Sequence, residues 1–136
     1  MKPAGYSGTP LPSKLGLKSG MKFIALNGPR DLDMLRAGAP NLECLARVAP
    51  FECALAFVTT ERVLAAHFAK LAPKLVDAGM IWIAWPKKAS GVATELTEDI
   101  VRRAGLTAGL VDVKVCAIDL TWSGLKFVRR LRDRRV

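Results

Sequence analysis

Apolar residues come in two rhythms along this chain. Apolar-rich runs at 22–26 (Lys-Phe-Ile-Ala-Leu) and 51–58 (Phe-Glu-Cys-Ala-Leu-Ala-Phe-Val), and an unbroken one at 80–85 (Met-Ile-Trp-Ile-Ala-Trp), suit buried strands. Between the last two, Val63, Leu64, His67, Phe68, Leu71 and Leu75 recur at helical spacing. That predicts an amphipathic helix over 61–77, capped by Thr60 with Glu61 in its first turn, and kinked or split by Pro73.

A shorter helix is predicted over 30–37, and another over 98–104. In the latter Thr97 is the cap, Glu98 and Asp99 lie in the first turn, and Gly105 is the stop signal. Residues 42–48 read as a short edge strand. The runs 111–120 and 125–131, joined through Thr121-Trp-Ser-Gly124, read as a terminal hairpin with its last strand antiparallel. Residues 1–20, with four glycines and three prolines, read as an irregular arm holding at most one helical turn at 13–17. A single domain over 21–131 and a basic tail over 132–136 follow. Strands alternating with helices predict right-handed crossovers and a mainly parallel sheet, hence a small Rossmann-like three-layer α/β sandwich.

This fold places candidate chemistry. Parallel sheets bind ligands beyond the carboxyl ends of their strands. Pro86 ends the strand 80–85 and presents Lys87 and Lys88, followed by Ser90 and Gly91. The neighbouring strand ends bring Asn27 and Gly28, and Thr59 and Thr60, to the same edge. Two ammonium groups, hydroxyls, an exposed glycine amide and the N-terminus of the helix at Thr60 suit an anion or phosphate. A secondary basic and aromatic set is Trp122 with Lys126, Arg129 and Arg130. Strand alternation, however, puts Lys126 and Arg130 on one face and Arg129 on the other. No nucleophile with its base is apparent. His67 reads as a packed histidine, and Glu95, Glu98 and Asp99 as helix-capping acids, so no catalytic residue is assigned.

Composition adds three things. The 136 residues suffice for one core, burying roughly two thirds of the unfolded chain's surface. The formal charge of +9 favours anionic partners: nucleotides, nucleic acid, acidic proteins or anionic lipid. Cys44, Cys53 and Cys116, an odd number without short spacing, together with one histidine, argue against disulfides and zinc. No apolar run approaches the ~18 residues that cross a bilayer, and no secretory h-region opens the sequence, so a cytoplasmic location is expected.

Two resemblances bear on function. The antiparallel last strand, and the lead-in Pro12-Ser-Lys-Leu-Gly-Leu-Lys-Ser-Gly-Met-Lys-Phe-Ile-Ala-Leu, resemble the class I methyltransferase variant of the Rossmann fold. That family's acid-x-Gly-x-Gly signature after the first strand is replaced by Ala25-Leu-Asn-Gly-Pro29, of which only Gly28 matches. No acid closes 42–48 to hold a ribose, and no cofactor is expected.

The stretches Gly5-Tyr-Ser-Gly-Thr-Pro-Leu, Trp85-Pro-Lys-Lys-Ala-Ser-Gly-Val-Ala-Thr-Glu-Leu-Thr-Glu-Asp, Ala108-Gly-Leu-Val-Asp-Val-Lys-Val-Cys-Ala and Thr121-Trp-Ser-Gly-Leu-Lys-Phe-Val-Arg-Arg resemble the bacterial domain-of-unknown-function family 3052. The expectation is a non-catalytic module holding a nucleotide or other phosphate-bearing ligand at the sheet edge. A divergent S-adenosylmethionine-dependent methyltransferase is the first alternative. A basic domain contacting nucleic acid or an acidic protein is the second.

Overall fold

The computed structural model describes residues 11–28 and 41–134. In chain order these are α1 (Leu11–Leu15), β1 (Lys22–Leu26), β2 (Glu43–Cys44), β3 (Phe51–Phe57), α2 (Glu61–Leu71), β4 (Leu75–Pro86), α3 (Glu98–Thr107), β5 (Leu110–Ala117) and β6 (Trp122–Arg129). Single 3-10 turns at Ala72–Lys74, Lys88–Ser90 and Leu131–Asp133 join or follow them. The helix expected over 30–37 lies outside the described residues.

One six-stranded sheet, in the order β2-β1-β3-β4-β6-β5, organises the molecule. β2, β1, β3 and β4 pair in parallel, and β6 enters antiparallel between β4 and β5. One face carries Ile24, Ala54, Ile81, Ile83 and Phe127 against Leu64, Phe68, Leu71 and Val101 of α2 and α3. The other carries Phe23, Leu55, Met80 and Trp82 against Leu15 and Leu17 of the segment expected as an arm. Leu15 is fully buried, and its carbonyl accepts the Trp82 indole N–H at 3.0 Å. An Nε1–H needs a partner when its ring is buried, so this bond stitches the segment to the central strand. The result is the expected α/β sandwich, with helices on both faces.

The structure moves several boundaries, each for a local reason. Helix α2 stops at Leu71, where the sequence reading carried it to 77. Pro73 cannot extend the helical ladder, the turn tightens to 3-10, and Leu75 already has strand dihedrals (φ −71, ψ 123). Leu71 and Leu75 therefore share a core from two different elements.

Gly105, read as a stop, lies inside α3. A Cβ there would sit 2.0 Å from the Phe127 ring, so the glycine lets the helix press on β6. The actual stop is Gly109, at φ +86, whose N–H bonds the Leu106 carbonyl.

The hairpin turns at 118–121 instead of 121–124. Asp119 Oδ1 accepts from the amides of Thr121 and Trp122, both at 2.8 Å, a turn closed by a side chain. Gly124 is thereby left in the strand, crowded by Ile118 and Trp82. The edge strand expected over 42–48 is only Glu43–Cys44. No helix among the described residues is long and apolar enough to cross a membrane.

Candidate functional site

Strand order sets the carboxyl edge: the ends of β1, β3 and β4 lie side by side, with Thr59 and Thr60 in the middle. At the end of β1 the chain turns through Asn27, held at φ +56, into Gly28. A left-handed dihedral is tolerated by Asn better than by most residues. A Cβ on Gly28 would come within 2.8 Å of the Phe57 ring, which is why the turn needs glycine. Phe57 in turn meets Trp122 edge to face, centroids 5.0 Å apart and planes at 87°. Gly28, Phe57 and Trp122 thus link the ends of β1, β3 and β6.

Beneath the same turn lies His67 of α2, buried at 7% exposure. Its Nε2 is 3.3 Å from Asn27 Nδ2, and it also bonds the Phe57 backbone. Burial lowers its pKa, the bond to Phe57 opposes this, and Lys70 adds to the lowering. A neutral ring protonated on Nδ1 accepts the Asn27 amide on Nε2. The histidine that spacing marked as packed is therefore also the residue that holds Asn27, a pairing between positions 40 apart that periodicity does not reveal.

The other expected site residues are placed as follows. Thr60 Oγ1 caps α2 by accepting from Val63 N at 3.2 Å, and Glu95 Oε1 takes the Glu61 amide at 2.7 Å. The Thr59 carbonyl accepts from Thr94 Oγ1 at 2.6 Å. A loop carboxylate already occupies the helix start that the sequence reading offered to an anion. Ser90 Oγ donates to the Lys87 carbonyl at 2.7 Å and accepts from Val92 N, while Gly91 completes the turn at φ +78. This loop is closed on itself.

Lys87 and Lys88 do meet a cleft, about 370 Å³, whose walls include Trp85, Ser123, Glu98 and Asp99. The two acids are bonded to Arg102 at 2.6 and 2.9 Å. Asn27, Gly28, Thr59 and Thr60 are not among the walls of this cleft.

Of the secondary set, Trp122 and Lys126 lie on the α1 face. Arg129 lies on the other, donating to the carbonyls of Ala72 and Leu75. Arg130 is half-buried after β6, its carbonyl accepting from Asp133 N.

No family model and no curated protein matches the sequence. Solved structures do match in shape. The pyocyanin biosynthetic protein PhzM superposes with a TM-score of 0.65 at 9% identity, over 91% of this chain and 55% of that one. The magnesium protoporphyrin IX methyltransferase ChlM from Synechocystis PCC 6803, with bound S-adenosylmethionine, gives 0.59 at 11%, over 88% and 74%. Fibrillarin from Aeropyrum pernix, with natively bound S-adenosylmethionine, gives 0.55 at 17%, over 91% and 70%. The chain spans about half the length of PhzM and of TnmH, another match.

These neighbours share a class I methyltransferase-like Rossmann fold, which corrects the expectation of a non-catalytic anion-binding module. The fold is that of a truncated class I methyltransferase-like Rossmann domain.

Proposed function

We propose that this chain is a divergent S-adenosylmethionine-dependent methyltransferase domain that takes its cofactor at the carboxyl edge of β1 and β3. The observation that carries the reading is strand order: a parallel β2-β1-β3-β4 sheet extended by an antiparallel β6 tucked between β4 and β5. Support comes from neighbours of the same shape whose structures hold S-adenosylmethionine.

The residues fit such a ligand in part. The Asn27–Gly28 turn brings bare backbone to the edge, and Asn27 and Thr59 offer amide and hydroxyl groups for a ribose or an amino-acid end. The described residues after β2 (45–50, Leu-Ala-Arg-Val-Ala-Pro) bring no carboxylate to that edge. Glu43 pairs in register with Lys22, at the amino end of β1. A ribose here is accordingly held by neutral groups, which predicts weaker binding than a carboxylate would give.

Two further placements rest on sequence. The four stretches quoted above support membership of the bacterial family 3052. The three free cysteines, Cys44, Cys53 and Cys116, support a cytoplasmic location.

The test is a thermal-shift titration with S-adenosylmethionine, its demethylated product and ATP. At about 100 times its Kd a ligand adds roughly 2.7 kcal/mol, a clear rise in Tm. A rise with the first two, reduced by Asn27→Ala or Thr59→Val, is expected; no rise with either at saturating concentration removes the reading.

A further inference from the structure

Lys114 of β5 and Lys126 of β6 stand directly opposite one another in the sheet. Like charges in that position repel, and a fold under stability selection alone gains by replacing one of them. A third cation joins them from α1: Lys14 Nζ donates to the Ala117 carbonyl, and Lys114 Nζ donates to the Lys14 carbonyl, both at 3.4 Å.

The cysteines beneath report the same cluster. Burial pushes the Cys116 thiol up while Lys14 and Lys114 pull it down, and Cys53, pushed up by burial, is pulled down by Lys126. Further along the same face towards the carboxyl edge, the half-buried indole of Trp122 stands edge to face with Phe57.

We propose that Lys14, Lys114, Lys126 and Trp122 form a binding face for single-stranded nucleic acid, with the ammonium groups on successive phosphates and the indole against a base. An acidic peptide would use the cations and leave the ring without a role; a single strand uses both. The face lies on the sheet beside a short helix, and the unpaired bases of a single strand are free to stack on the indole. The inference is independent of the methyltransferase reading, since it needs no cofactor.

The experiment is fluorescence anisotropy of a labelled oligouridylate about a dozen nucleotides long, titrated with the full chain at several salt concentrations. The variant Lys14→Gln/Lys114→Gln/Lys126→Gln is compared with Arg62→Gln/Lys74→Gln/Arg103→Gln, which removes the same charge from exposed positions on the helix side. The first should weaken binding about tenfold or more and flatten the slope of log K against log salt by about 2, since each phosphate contact contributes about 0.7. The second should change affinity by only about twofold.

Equal losses in the two triple variants would reduce the effect to net charge and overturn the proposal. So would polyglutamate binding as tightly as the oligonucleotide, which would assign the face to acidic proteins, or the absence of saturable binding. Should the first triple variant fail to fold, Lys114→Gln alone, at an exposed position, is expected to lose roughly threefold, and no loss there counts against the face equally.

Discussion

The two faces of the sheet use their cations differently. On the helix face two of them, Arg102 and Arg129, hold the fold together. Arg102 reaches Glu98, Asp99 and Asp112 at 2.6–2.9 Å, tying α3 to β5. Arg129 grips the carbonyls of Ala72 and Leu75 where α2 gives way to β4, with Asp77 at 3.9 Å. On the α1 face Lys114 and Lys126 oppose each other, and Lys14 and Lys114 donate to backbone carbonyls. Residue type does not distinguish a cation that secures a joint from one set against a like charge; the groups around it do.

The largest effect should come from the core behind the helix face. Phe127 is fully buried and meets Phe68 edge to face at 5.1 Å, so Phe127→Ala should lose about 3–5 kcal/mol in urea unfolding. Arg129→Met should lose about 2 kcal/mol, because it leaves carbonyls at the α2–β4 joint without their charged donor. Lys126→Met, one strand position from the core residue Phe127, should by contrast be neutral or stabilising by a few tenths of a kcal/mol, since it removes repulsion from Lys114. A large loss in Lys126→Met would erase the distinction between the faces.

The last prediction concerns pH. Burial lowers the His67 pKa below its ordinary 6.5, so the unfolded chain takes up this proton first as pH falls. The stability tied to neutral His67 is complete above about pH 6.5 and is lost as pH drops towards the folded value. The slope should be at most about 1.4 kcal/mol per pH unit, and His67→Gln should flatten it.

Much of the architecture was legible because burial writes itself into apolar runs. The strands at 22–26 and 51–58 and the start of α2 at Thr60 appear where periodicity and capping put them, while 80–85 is the buried part of a strand that already begins at Leu75. Turns closed by one side chain were harder. Asp119 moved the hairpin by three residues, and Gly105 looked like a stop because the Phe127 ring that requires it is 22 positions away in the chain.

The candidate site was legible as an edge but not as a set of contacts. Sequence brought Asn27, Thr59, Lys87 and Ser90 to one end of the sheet. It could not show that His67 holds Asn27, that Glu95 fills the start of α2, or that Ser90 closes its own loop. Spacing along a strand reports which end a residue occupies, and long-range hydrogen bonding decides what that residue does there.

The most direct test of the account is a titration of isotopically labelled protein with S-adenosylmethionine, followed residue by residue through backbone amide NMR shifts. The predicted result is saturable movement centred on Asn27, Gly28, Val58 and Thr59, at the carboxyl ends of β1 and β3, while Lys114 and Lys126 stay still. Unmoved amides at saturating ligand, or shifts confined to β5 and β6, would contradict it.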